Sequence, residues 1–437
     1  MIELHISNKT GRTLFVTGHK GSDWTNISSN GIAPNGSALV AKMTDPTQGA
    51  SDHWGWIFFD LHSPKGRGLQ AYVAAGTSRG VFDCCVQYGD GGNNRAGDTI
   101  VGTTARTNGN KVTLTIEHVF DPWMSRIDAA RPLHRITIPG THDSATHKLL
   151  YPSKTQNATL EEQLYMGVRH FDIRLDAGTS DLHVVHGGLQ GSGNTEYGLA
   201  DVVAILRDFL FGKNGLPSTE ETLVLQLKVD RGTDSGVHAK VTKILQAAFK
   251  DDLSKLHTAP IKQAIVPGIG QLRGKLVLLR RYEVPNQDAA GSGTSIKYFA
   301  AEKSWADWQA NPRGRTWPAV FQAAHFEWPD SGADPKGLRN RHGLPFAIQD
   351  DYGAAPPAKT LLVQQFLEAA GKGILPEAWY LNFTSTADPG KSAEYVNPQL
   401  RAWLGKHVQS GNRQGYGTIL MDFVDLPTVQ AVIAANF

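Results

Sequence analysis

"HRITIPG" at 134–140 opens a series of similar runs: "RHFDIRL" (169–175), "LHVVHG" (182–187), "TLVLQLKV" (222–229), "KLVLLRRY" (275–282), "PFAIQDDY" (345–352), "WYLNFTS" (379–385) and "TILMDF" (418–423). Each is short and nearly continuously apolar, the pattern of a strand buried on both faces in a parallel sheet. Amphipathic stretches lie between several of them, among them "GLADVVAILRDFLFGK" (198–213), "GVHAKVTKILQAAFK" (236–250) and "KTLLVQQFLEAAGK" (359–372). Eight such runs alternating with helical stretches predict an α/β fold of the TIM (β/α)8 barrel type.

Upstream the texture changes. Residues 1–119 are rich in Gly, Asn, Ser and Thr, and turn signals such as "NKTG" (8–11), "NGIAPNGS" (30–37) and "GDGGNN" (89–94) separate short β-rich segments. A turn about every ten residues with no helical pattern predicts an all-β sandwich. The period switches near "EHVFDPWMSRI" (117–127). The expected domains are therefore a β-sandwich accessory domain, 1–119, and a barrel, 120–437.

The composition is that of a packed globular chain. Of its 437 residues, 43 are Lys or Arg and 41 Asp or Glu, for a net charge of +2. Such a balance creates no field that would gather nucleic acid. No apolar run approaches the roughly 20 residues that span a bilayer. The 2 cysteines, Cys84 and Cys85, are neighbours, so neither a disulfide framework nor a CxxC site is expected. The first residues, "MIELHISNKTGRTLFV", do not show the pattern of a signal peptide.

In a TIM barrel the chemistry lies at the C-terminal ends of the strands. Seven of the eight runs carry ionisable groups there: His142 and Asp143, Asp172 and Arg174, His186, Lys228 and Asp230, Arg280 and Arg281, Asp350 and Tyr352, and Asp422. One such group alone would be a loop residue or a salt-bridge member. Together they must pair with one another or with a ligand, because unpaired buried charge costs several kcal/mol per group. Two histidines oriented by carboxylates supply an acid and a base near neutral pH. An arginine beside them offers a planar fork for phosphate oxygens. This is the equipment of phosphodiester transfer without a metal, since a metal site would gather more carboxylates.

The ordered series "PLHRITIPGTHDSATHKL", "LEEQLYMGVRHFDIRLD" and "LHVVHGGL" resembles the X-region of bacterial phosphatidylinositol-specific phospholipase C. "RGKLVLLRRY", "IQDDY" and "ILMDF" follow in the same order, so the resemblance extends from about Trp123 to the C-terminus. It implies a distorted TIM barrel. By the same likeness His142 is the general base that acts on the inositol 2-hydroxyl, and Asp422 orients it. His186 is the general acid, assisted by Asp143. Arg174 binds the phosphate, with Asp172 in the same cluster. Lys228, Arg281 (or Arg280), Asp350 and Tyr352 hold the inositol ring. Calcium-dependent relatives place a carboxylate where this chain has Arg174, so neither metal nor cofactor is expected. The implied reaction releases diacylglycerol and 1D-myo-inositol 1,2-cyclic phosphate.

The resemblance further implies a secreted monomer that acts on phosphatidylinositol in membranes or micelles and attaches peripherally to the surface, with no nucleic acid partner. "KLLYPS" (148–153) and "WADWQANPRGRTWP" (305–318) are the candidate membrane-facing rim. His134, His147, His170 and His183 are expected to be structural. The texture of the N-terminal domain resembles actinoporin- and aegerolysin-like membrane-binding β-sandwiches, and Trp24, Trp54 and Trp56 are its candidate interfacial residues. Two other functions compete. One is a membrane-binding or pore-forming protein with an inactive barrel, and the other is a metal-dependent glycerophosphodiester phosphodiesterase. The pair His142/His186 together with Arg174 argues against the first. The second shares the barrel and the paired histidines but needs a metal held by carboxylates, and Arg174 argues against it.

Overall fold

A computed structural model describes residues 2–9, 13–20, 24–28, 30–43, 53–60, 69–75, 82–88, 104–108, 111–116, 122–187, 193–211, 220–233, 236–250, 268–282, 299–300, 346–373, 376, 378–409 and 415–437. The chain divides into two compact units, one built on Met1–Asp121 and the other on Pro122–Phe211 and Ser218–Phe437.

Strands are the regular elements among the described residues of the first unit. Five make one sheet: β1 (Ile2–Asn8), β3 (Trp24–Thr25), β4 (Ser37–Met43), β8 (Thr104–Asn108) and β9 (Lys111–Ile116), in the order β3-β4-β1-β9-β8. Within it β1 and β9 run parallel, and the other pairs are antiparallel. A fully antiparallel sheet of order β2-β5-β6-β7 holds β2 (Phe15–Lys20), β5 (His53–Asp60), β6 (Leu69–Ala75) and β7 (Phe82–Tyr88). Leu4 and Ile6 on β1, and Val112, Leu114 and Ile116 on β9, are buried, while the residues between them are not. That period of two gives the sheet one apolar face. Cys84 and Cys85 lie on β7, and the side chains of Trp24, Trp54 and Trp56 lie outside the described residues.

The second unit is a curled parallel sheet. Its strands are β10 (Ile138–Thr141), β11 (His170–Asp176), β14 (Leu223–Arg231), β15 (Leu276–Arg281), β16 (Phe299–Ala300), β17 (Phe346–Gln349), β18 (Trp379–Phe383) and β19 (Thr418–Met421). They pair in the order β16-β15-β14-β11-β10-β19-β18-β17, every neighbour parallel. The sequence expectation differs from this at one run. "LHVVHG" is not a barrel strand. Its core forms β12 (His183–Val185), which pairs antiparallel with β11 and with β13 (Asn194–Gly198), off the barrel path. The remaining parallel strand is the two-residue β16.

Helices follow the strands where the pattern placed them, at Leu199–Leu210, Val237–Ala248 and Pro356–Gly371, and two more, Pro389–Gln409 and Leu426–Ala434, follow β18 and β19. On the first of these, Leu199, Val202, Val203, Leu206, Phe209 and Leu210 are buried, a stripe at helical spacing that covers the sheet. None of the described helices is long and apolar enough to cross a membrane.

The interior is layered by polarity. His170, Asp172 and Arg174 alternate along β11 and so share one face. His170, deepest in this series, is fully buried beside Thr418 and the ring of Trp379. Gly140 makes that closure possible, because a Cβ there would sit 3.1 Å from both the His170 Cβ and the Thr418 Cγ2. Asp172 lies above His170, and Arg174 reaches the open end.

Candidate active site

His142 and Asp143 follow directly on β10. The chain turns sharply there, with Asp143 at φ +43°, a left-handed conformation that Asp tolerates better than most residues. The turn is held from below. The buried amide of Gln156 donates to the carbonyls of His142 (2.9 Å) and Met421 (2.8 Å), which ties the ends of β10 and β19 together. The Ser144 hydroxyl accepts the backbone N–H of Asp172 at 2.9 Å and so joins β10 to β11.

His142 lies between two carboxylates. Its Nδ1 meets Asp422 Oδ1 at 2.9 Å, and its Nε2 lies 3.1 Å from Asp143 Oδ2. Asp422 is fully buried just after β19, and its backbone carbonyl accepts the Asn397 side chain at 3.0 Å. Burial alone would discharge His142, but Asp143 and Asp422 outweigh it and push the imidazole up to about 9.

His186 approaches from the other side. Its Nε2 is 3.3 Å from the same Asp143 Oδ2, and its Nδ1 is 2.5 Å from the backbone carbonyl of Ser153. A carbonyl only accepts, so Nδ1 carries the hydrogen and Nε2 is the atom left to exchange protons. Both imidazoles therefore turn a titratable nitrogen to one carboxylate oxygen.

Arg174 completes the cluster. Its Nε and Nη2 reach Asp172 Oδ1 and Oδ2 at 3.1 and 2.7 Å, a bidentate pair. Nε also lies 3.2 Å from Asp143 Oδ1, and Nη1 is 3.6 Å from Asp230 Oδ1. Burial opposes the guanidinium charge, and Asp172, Asp143 and Asp230 more than restore it. Asp172 is further fixed by Gln226, which donates to its Oδ1 at 2.8 Å.

Lys228, opposite Arg174 in the β11–β14 register, lies 2.7 Å from Asp230. Asp350 and Tyr352 follow β17. Tyr352 is 48% exposed; burial raises its phenol, and the charges of Asp143 and Asp422 raise it further, so it stands within their field. Lys359, on the helix Pro356–Gly371, supports that loop from beneath. It is fully buried and donates to Gln349 Oε1 (3.0 Å) and to the Asp351 carbonyl (3.1 Å), and burial lowers its ammonium to about 8. Arg280 and Arg281 stand at the end of β15, but their side chains lie outside the described residues.

The structure thus gathers His142, Asp143, Asp172, Arg174, His186 and Asp422 in one cluster, with Lys228 joined to it through Asp230. The four histidines expected to be structural bind elsewhere. His134 meets the Pro376 carbonyl, His147 meets Glu196, His170 meets Thr418, and His183 meets the Thr195 carbonyl. Sequence reasoning left Asp230 without a role and missed Gln156, Gln226, Lys359 and the Ser153 carbonyl. Asp230 was legible only as another strand-end carboxylate, and a backbone carbonyl leaves no signal at all.

Among the described residues, His142, Asp143 and Asp172 bring potential ligand atoms within 4.8 Å of one another. Arg174 already engages both carboxylates of that group, so a cation would have to displace a guanidinium. The donor set therefore fits a guanidinium better than an ion.

Residues 129–282 match the family model described as phosphatidylinositol-specific phospholipase C, X domain. That segment of the barrel is thus similar to the X domain of phosphatidylinositol-specific phospholipase C. This segment holds His142, Arg174 and His186, while Asp350, Tyr352 and Asp422 lie beyond it. The chain is 26% identical over 321 residues to the 1-phosphatidylinositol phosphodiesterase of Staphylococcus aureus (strain Newman), covering 69% of this chain and 87% of that one. It is 23% identical over 328 residues to the enzyme of the same name from Listeria monocytogenes serovar 1/2a, covering 72% and 84%. The solved phosphatidylinositol-specific phospholipase C from Listeria monocytogenes superposes with a TM-score of 0.52 at 22% identity, covering 72% of this chain and 98% of that chain. That superposition confirms the barrel fold with its distortion.

Proposed function

We propose that the chain is a metal-independent phosphatidylinositol phosphodiesterase. One observation carries the reading: a single Asp143 oxygen touches the Nε2 atoms of both His142 and His186, while the other oxygen of that carboxylate faces Arg174. A base, an acid and a phosphate-binding fork thus converge on one point.

In the reaction the phosphodiester sits against Arg174. His142 Nε2 takes the proton of the inositol 2-hydroxyl, and that oxygen attacks phosphorus. The bond from phosphorus to the glycerol oxygen breaks, and His186 Nε2 gives that oxygen a proton. Diacylglycerol leaves, and inositol 1,2-cyclic phosphate remains, to be opened slowly by water. Because nucleophile and phosphorus belong to one molecule, the protein need only time the protons and stabilise charge. Each turnover moves one proton from the acid to the base. Asp143, in contact with both nitrogens, offers the return path. Lys228, Asp350, Tyr352 and a β15 arginine would hold the inositol ring.

The rim suits a lipid surface. Leu150 and Tyr151 are 84% and 60% exposed, and the Lys148 and Lys391 side chains 64% and 78%. Exposed apolar tips fit a bilayer surface, and the two lysines beside them pair with Glu196 and Asp388. Tyr151 is braced by its hydroxyl, which donates to Asp388 at 2.6 Å. A β-sandwich accessory role for the N-terminal unit, and secretion, belong to the same proposal.

The test is replacement of His142 and of His186 by Ala, with phosphatidylinositol turnover measured against fold by circular dichroism. A folded variant should lose at least about 10²-fold in rate, the low end for a general acid or base. Wild-type rates in both variants would refute the proposal.

A further inference from the structure

We infer that Arg231 is a positioning residue that holds the imidazole of His186 at the leaving-group side of the site. The inference rests on the acid role proposed above. His186 does not stand on a barrel strand. It follows β12, at the mouth of the β12–β13 hairpin, so something must register that hairpin against the barrel. Arg231 is the last residue of β14, which is a barrel strand. The β11–β14 register shifts at Leu175/Asp176, so that Val229 pairs with Leu175 and Arg231 with Asp176. The extra residue is Asp230. This bulge leaves Asp230 beside Lys228 and Arg174 and turns Arg231 toward the hairpin.

The guanidinium then ties both stems. Nε donates to the Gly187 carbonyl at 2.8 Å, and Nη1 donates to Asn194 Oδ1 at 2.5 Å. Gly187 follows His186 on one stem, and Asn194 opens the other. Arg231 is only 8% exposed, although its acceptor Asn194 is exposed. Between the stems the His186 N–H donates to the Gly193 carbonyl at 2.7 Å. A Cβ at Gly193 would lie 2.0 Å from the His186 carbonyl oxygen and 3.0 Å from Arg231 Nη2, so the hairpin is pinched where the arginine grips it. Ser153 fixes the ring's rotation through Nδ1, and Arg231 fixes the backbone that carries the ring. A planar fork with fixed donors suits that task, whereas a flexible ammonium would engage one acceptor at a time. Placement matters because an error of about 1 Å in a catalytic group can cost roughly 10²-fold in rate.

A residue that merely stabilised the fold would affect every substrate alike, whereas one that places the general acid would not. Two soluble inositol 1-phosphate esters separate these cases. One carries an alkyl alcohol, whose departure needs a proton, and the other a nitrophenol, which leaves as the anion unaided. For Arg231→Met we expect kcat on the alkyl ester to fall about tenfold or more below its fall on the nitrophenyl ester, within the range of general acid catalysis. KM for the two should change equally. Arg231→Lys should lie between the wild type and Arg231→Met. Asn194→Ala removes one acceptor from an exposed side chain and should shift the ratio the same way by a few-fold, and it decides the matter if Arg231→Met does not fold. If the wild type cleaves neither ester, the proposed function falls. An unchanged alkyl-to-nitrophenyl ratio in the folded variants, with wild-type activity on both esters, would overturn the role of Arg231.

Discussion

Replacing Asp422 by Asn changes one charge in the proton relay and little of its shape. In the structure Asp422 is fully buried and meets His142 Nδ1 at 2.9 Å. With Asp143 it pushes His142 from the ordinary 6.5 to about 9, which corresponds to a net preference for the imidazolium of about 3 kcal/mol. Asp422 acts through both its charge and its hydrogen bond, and Asp143 through its charge. The working enzyme carries one proton on the His142–His186 pair, and loss of that proton sets the alkaline limb of kcat/KM. The wild-type limb should therefore fall near pH 9. Without the anion, His142 holds its proton less tightly, and the limb in Asp422→Asn should move down by about one to three pH units, the range for an opposite charge at contact distance. The base also loses its orienting partner, so kcat should fall by roughly 10²- to 10⁴-fold. The assay is kcat/KM against pH on a soluble inositol phosphodiester, with the fold checked by circular dichroism. An alkaline limb that stays in place, or moves up, would refute the pairing of Asp422 with the base.

Two further outcomes follow from the same geometry. Burial holds His170 down at about 4, so it is neutral in the folded protein, while the unfolded chain takes up a proton as pH falls through about 6.5. Stability should therefore be lost between pH 6.5 and 4, by about 3 kcal/mol from this group. In urea unfolding, the stability gap between the wild type and His170→Gln should narrow across that window; a constant gap would contradict it. At the rim, Leu150→Ser should weaken binding to anionic phosphatidylinositol-containing vesicles by about 2 kcal/mol, the value of a buried Leu side chain, with kcat on a soluble ester unchanged. Equal vesicle affinity for the two proteins would remove Leu150 from the membrane contact.

Much of the site was legible because it follows from period and position. A fully apolar run ending in "THD" places His142 and Asp143 at a strand end, the alternation in "FDIRL" puts Asp172 and Arg174 on one face, and "TILMDF" places Asp422 after a buried strand. The direction of "LHVVHG" was not legible, because a short apolar run reads the same whether its partner is parallel or antiparallel. β16 was missed because two residues, Phe299 and Ala300, carry no period. The supporting groups were hidden for other reasons. Ser153 contributes only a backbone carbonyl. Gln156 and Lys359 act from a loop and a helix that the strand pattern does not register. The roles of Asp230 and Arg231 depend on a bulge that appears only when β11 and β14 are paired.

The most direct test of the central claim is phosphatidylinositol cleavage followed by 31P NMR, with and without excess EDTA. The account predicts an inositol cyclic phosphate as the first water-soluble product, formed at the same rate under both conditions, because Arg174 supplies the positive charge that a cation would otherwise bring. Cleavage that stops with EDTA and returns with a divalent cation would contradict it.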